Sequence, residues 1–128
     1  MHRILLACVA AAALATALPA SARQAGNVVP APFRGVWESD LAHCADAASE
    51  TRLVISAREV MFYEHGGTPR RVRRQDARTI RIEARTSDDM GQAGSSTWIF
   101  RLSPDGHTLT QLGPTAGAEP LHRCPGRL

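Results

Sequence analysis

The chain has 128 residues, with 15 basic residues that are all arginine, 12 acidic ones, and a formal charge of +3. That length suits one modest domain and excludes two. So small an excess of positive charge gives no bulk argument for nucleic acid, which is not expected as a partner. Any anionic ligand must be met by a local cluster of arginines.

Residues 1–22 read as a secretory signal peptide. A basic start at Arg3 precedes an apolar run over residues 4–18 and a small-residue site at Ala20 and Ala22, so cleavage is expected before Arg23. The 15 apolar residues fall short of the roughly 20 that span a bilayer, and a transmembrane protein is not expected. Processing as a lipoprotein at Cys8 is disfavoured because too little apolar sequence precedes it. Export places the chain in the periplasm or outside the cell, where its two remaining cysteines, Cys44 and Cys124, are expected to form a disulfide. His43 and His122 stand beside them and raise a zinc reading, but neither pair has a recognised ligand spacing, and no metal or cofactor is expected.

Residues 23–32 contain Gly26, Asn27, Pro30 and Pro32 without periodicity and predict an exposed, extended leader. The domain, residues 33–128, opens with a first strand over 34–39, in which Gly35 permits close backbone approach and Trp37 supplies a large buried face. Residues 41–50 predict a helical turn or loop carrying Cys44. Residues 51–56 and 59–64 predict a pair of strands, and Gly66-Gly67 a tight hairpin turn before a return over 68–75. In residues 78–85, Ile80, Ile82 and Ala84 alternate with Arg81, Glu83 and Arg85, the clearest half-buried strand in the chain.

Residues 86–95, with Ser87-Asp88-Asp89 and two glycines, predict a mobile connection. Residues 96–102 predict a strand with Trp98, Phe100 and Leu102 inward. Pro104-Asp105-Gly106 predicts a turn, residues 107–112 the returning strand, and residues 121–124 a short terminal strand that reaches the disulfide. The sum is an all-β antiparallel meander of seven to eight short strands, curled into a small closed or partly open barrel.

The Gly35-Val36-Trp37 motif at the front of such a meander resembles the small secreted bacterial β-barrels of lipocalin and avidin type, and the periplasmic protease- and lysozyme-inhibitor barrels. The resemblance spans the architecture of residues 33–124. It implies a binding role and carries over no functional residue.

Two constellations bear on binding. Arg71, Arg73, Arg81 and Arg85, from two strands expected to pair, present planar guanidinium forks to an anionic surface such as lipopolysaccharide, an acidic glycan or an acidic protein; an ordinary solvated sheet face is the alternative. Trp37, Phe62, Trp98 and Phe100 line either a filled core or a ligand cavity, and small barrels are usually filled. For catalysis, His43, His65, His107 and His122 are scattered singly, no nucleophile or phosphate-loop motif occurs, and Asp88-Asp89 lacks a calcium loop's alternation. The expectation is therefore a non-enzymatic, monomeric, exported protein that binds a protein, glycan or lipid of the cell envelope, with a small-molecule carrier as the alternative.

Overall fold

A computed structural model describes residues 26–113 and 119–126. The predicted signal peptide lies outside them. Eight antiparallel strands follow one another around a closed barrel: β1 (Gly35–Glu38), β2 (Leu53–Ile55), β3 (Val60–Met61), β4 (His65–Asp76), β5 (Thr79–Asp88), β6 (Ala93–Leu102), β7 (Thr108–Leu112) and β8 (Leu121–Arg123). Closure comes from β8 pairing with β1, with Trp37 opposite Arg123 and Glu38 opposite His122. Period-2 alternation fills the interior. Ile80, Ile82, Ala84, Trp98, Phe100, Leu102 and Leu109 point inward and are buried, together with Trp37, Leu53 and Ile55 from the other wall.

The turns are held by short acidic side chains, the local chemistry that makes Asp a turn residue. Asp76 Oδ1 accepts the Arg78 backbone N–H at 2.8 Å and Asp88 Oδ1 that of Gln92 at 2.7 Å. In the predicted Pro104-Asp105-Gly106 turn, Asp105 Oδ1 accepts from Ser103 Oγ at 2.6 Å and from the His107 N–H at 3.0 Å, while Gly106 takes φ 76°. Hydrogen bonds that favour the charged form hold both carboxyls below their ordinary range: the Arg78 N–H foremost at Asp76, the Ser103 hydroxyl foremost at Asp105.

Three local expectations need correction. Of the leader expected over 23–32, the described residues Gly26, Asn27, Val28, Ala31 and Pro32 are exposed, but the segment is anchored to the barrel and Val29 is buried. It crosses one end of the barrel, with the Val72 N–H donating to Gly26 O at 2.6 Å and the Val29 N–H to Ala57 O at 2.8 Å, and a 3₁₀ turn (Ala31–Phe33) sets Phe33 and Val29 fully into the core. The expected loop over 86–95 is mostly strand, because β5 and β6 stay paired out to Ser87 opposite Ala93 and only a short turn joins them.

Gly66-Gly67 is not a hairpin turn either. Both residues lie inside β4, opposite Met61 and Val60, and the turn is Phe62–His65, closed by the Phe62 N–H on His65 O at 2.8 Å. Glycine is needed here for close approach. A Cβ on Gly67 would stand 2.7 Å from the Arg85 carbonyl oxygen and 3.0 Å from Trp98 Cη2, whereas one on Gly66 would meet mainly the flexible Met61 side chain. Gly67→Ala is therefore expected to cost about 2 kcal/mol and Gly66→Ala less, since Met61 can swing away and a strand backbone cannot. Urea unfolding followed by tryptophan emission checks the order; equal costs would contradict it.

A strap over residues 39–52 lies against the outer side of β1 and β8. It begins with a 3₁₀ turn (Leu41–His43) capped by Asp40 Oδ1 on the Ala42 N–H at 2.8 Å, and it is pinned by the Cys44–Cys124 disulfide, 80 residues apart in sequence. Beneath the strap Glu38 is fully buried. Its Oε2 accepts from Ser49 Oγ at 3.0 Å and Thr51 Oγ1 at 2.8 Å, and its Oε1, which accepts no hydrogen bond, lies 3.6 Å from Arg52 Nη1. A buried charge needs such partners, so this cluster fixes the strap to the barrel wall.

Candidate functional site

The topology gives the barrel two unlike ends. One is sealed by residues 26–34 and by Arg123. The Arg123 guanidinium donates to the carbonyls of Pro32 at 2.5 Å, Arg34 at 2.6 Å and Gly106 at 3.1 Å, and it lies 4.2 Å from the centre of the Trp37 ring. Partial burial lowers its pKa from the ordinary arginine value. Trp37 Nε1 in turn donates to Phe33 O at 3.1 Å. Gly35, at φ 149°, leaves room for this seat, because a Cβ there would lie 2.9 Å from Arg123 Nη1. The Gly-x-Trp motif thus has a physical reason: the glycine admits the guanidinium, and the indole is covered by it.

Among the described residues, the other end carries no such seal and forms a shallow mouth. Leu53, Phe62 and Leu121 form the apolar floor of a mouth cavity of about 370 Å³, with Glu50, Gln111 and Glu119 at its edge. Phe62 stacks on His65 (centroids 4.6 Å, 15°) and leans on Trp98 (5.3 Å, 56°), so it closes the interior from above. A larger depression of about 490 Å³ lies outside the barrel, between Tyr63 and Asp88, over the backbone of Gly66 and Gly67.

Of the expected aromatic lining, Trp37, Trp98 and Phe100 are buried core, while Phe62 is half-buried at the mouth. Core packing accounts for the first three. The four expected arginines do share the outer face of β4 and β5. Arg73 stands directly opposite Arg81, Arg71 opposite Glu83, and Arg85 opposite Thr68, two residues nearer the mouth than Glu83. Bulges between Pro69 and Arg71 and between Arg74 and Asp76 set this register and turn out Arg70 and Gln75 as extra residues. β6 adds Arg101, exposed and donating from Nε to Thr79 Oγ1 at 3.2 Å.

Charge on this face is poorly compensated. Glu83 reaches Arg81 Nε at 3.6 Å, and both side chains are about two-fifths exposed, which makes the pair worth little in water. Arg71, Arg73, Arg85 and Arg101 are in no ion pair among the described residues. Beside the arginines, Ile99 faces Arg81 and pairs with Leu112 of β7, both half-buried, so the row Arg73, Arg81, Ile99, Leu112 passes from cationic to apolar across four strands.

Sequence reasoning missed Arg123, Glu38, Arg52 and the mouth residues Leu121 and Gln111. Arg123 was one arginine among 15, and the only local clue was its place in the terminal strand beside Cys124. Among the described residues no group of three or more His, Cys, Asp or Glu side chains converges on a metal site, and no helix is long and apolar enough to cross a membrane. The chain matches no family model, no curated protein and no solved structure.

Proposed function

We propose that this is an exported, non-enzymatic binding protein that attaches to an anionic component of the cell envelope through the outer face of β4–β6, and that a phosphate-bearing lipid surface is the best fit. The observation that carries the reading is the cross-strand pair Arg73/Arg81, which sets like charge directly opposite like charge on a solvent face. Such a pairing costs stability in the free protein. A ligand that places phosphate between the two guanidinium groups relieves the repulsion and supplies oxygen acceptors for both planar forks. The apolar continuation through Ile99 and Leu112 suits the boundary between headgroup and acyl chain better than it suits a wholly polar glycan. A filled interior supports surface binding over carriage of a ligand within the barrel.

The test is co-sedimentation with vesicles of anionic phospholipid against zwitterionic ones. The parent protein binds the anionic vesicles and is released by salt. At about 1 kcal/mol per arginine near such a surface, Arg71→Ala/Arg73→Ala/Arg81→Ala lowers affinity about 100-fold. Binding that is insensitive to salt and unchanged in the triple variant would sink the proposal, and selective capture of an acidic glycan in place of vesicles would redirect it.

A further inference from the structure

We infer that the mouth of the barrel is a second binding site, for a small ligand with an apolar body and a cationic head. The site is separate from the arginine face and opposite to it in charge. Its floor is hydrocarbon and aromatic: Leu53 is buried, while Phe62 and Leu121 are half-buried against the core. Its volume of about 370 Å³ falls in the range of small-molecule sites. An apolar body entering there displaces water from the half-buried Phe62 and Leu121, and that sets the first half of the ligand's chemistry.

The second half comes from the rim. Glu50 and Glu119 line the cavity, are exposed, and are in no ion pair among the described residues. Arg52 also lines it and is, among the described residues, the one cation that does so, but its guanidinium is committed to the strap: Nη1 donates to Cys44 O at 3.2 Å and Asp46 O at 3.4 Å and sits 3.6 Å from the buried Glu38. An anionic ligand would therefore have to compete with a buried carboxylate for Arg52, whereas a cationic head meets two uncommitted carboxylates. The wider surroundings have the same sign. The connections at the mouth end also carry Asp40, Asp46, Glu64 and Asp89. The apolar floor selects against small hydrophilic cations and inorganic ions. The charged rim selects among apolar ligands by the sign of their head.

Three probes with one apolar body and different heads test this by calorimetry: 4-phenylbutyltrimethylammonium, 4-phenylbutanol and 4-phenylbutanoate. The ammonium compound is expected to bind about tenfold more tightly than the alcohol, and the carboxylate more weakly than both. Glu50→Gln/Glu119→Gln, at two exposed positions that the fold does not use, brings the ammonium compound down to the level of the alcohol. Arg71→Ala/Arg73→Ala/Arg81→Ala leaves its binding unchanged, so failure of the lipid-binding proposal and failure of this one are separate results. The inference is overturned if the three probes bind alike, if the carboxylate binds best, if the ammonium compound does not bind, or if the glutamine variant binds it as the parent does.

Discussion

Arg123→Met is expected to lower the stability of the barrel by about 4 kcal/mol, more than any other single substitution on its polar groups. The arginine donates to three carbonyls, of Pro32, Arg34 and Gly106, and covers the Trp37 ring. Hydrogen bonds from a charged donor contribute about 1.5–3 kcal/mol each, and a partly desolvated cation–π contact about 1–2. The carbonyls are not all fully buried, so the sum is discounted to about 4, a large share of the 5–15 kcal/mol that holds a domain together. Methionine keeps much of the packing and removes every donor. Arg123→Lys is expected to recover less than half, because one ammonium cannot reach three carbonyls in the plane of a fork. Gly35→Ala should be costly in the parent and stay costly in Arg123→Met, because φ 149° strains any residue with a Cβ; only the part owed to the approach to Nη1, 2.9 Å away, is relieved. Urea denaturation followed by tryptophan emission reads all three. A loss below 1 kcal/mol for Arg123→Met would mean that the sealed end does not depend on this residue.

The second large effect belongs to the bridge. Cys44→Ser/Cys124→Ser is expected to cost 2–5 kcal/mol, with about 4.5 as the chain-entropy value for a closed loop of 80 residues. The consequence is local as well as global, because Cys44 anchors the strap that buries Glu38. Without the anchor, the Ala42 and Ala48 amides, which are capped by Asp40 and Asp46, should exchange with solvent faster than the β4–β6 amides. Reduction of the parent protein should reproduce both effects. A double variant within 1 kcal/mol of the parent, with protection at Ala42 unaltered, would show that the strap is held by the Glu38 cluster alone.

The sequence made the barrel legible where alternation is strict. Ile80, Ile82 and Ala84 against Arg81, Glu83 and Arg85 identified β5, and Trp98, Phe100 and Leu102 identified the inner side of β6. The disulfide was legible because only two cysteines follow the predicted signal peptide. Gly66-Gly67 misled for a physical reason. Glycine marks both a turn and a place where another chain segment comes close, and the close neighbours, Arg85 and Trp98, lie 18 and more residues away. In the stretch before Phe33, the exposure of most residues was readable but the anchoring was not, since the hydrogen bonds that hold Gly26 and Val29 come from Val72 and Ala57.

For the candidate site, the presence of an arginine face was readable from composition, but its register was not. Bulges on β4 decide that Arg73 faces Arg81 and Arg71 faces Glu83, and no local pattern announces a bulge among consecutive arginines. Arg123 and Glu38 were illegible because each acts through partners supplied by distant strands and loops. The mouth was hidden for the same reason: its floor joins β2, the β3–β4 turn and β8.

The central claim is that the outer arginine face, and not the barrel interior, meets the anionic envelope component. Backbone amide shifts recorded while a soluble short-chain anionic phospholipid is titrated into the labelled protein test it most directly. The account predicts shifts clustered on Arg71–Arg73, Arg81–Arg85 and Ile99, with the buried core unmoved. Shifts confined to Leu53, Phe62 and Leu121 at the mouth, or spread evenly over the chain, would contradict it.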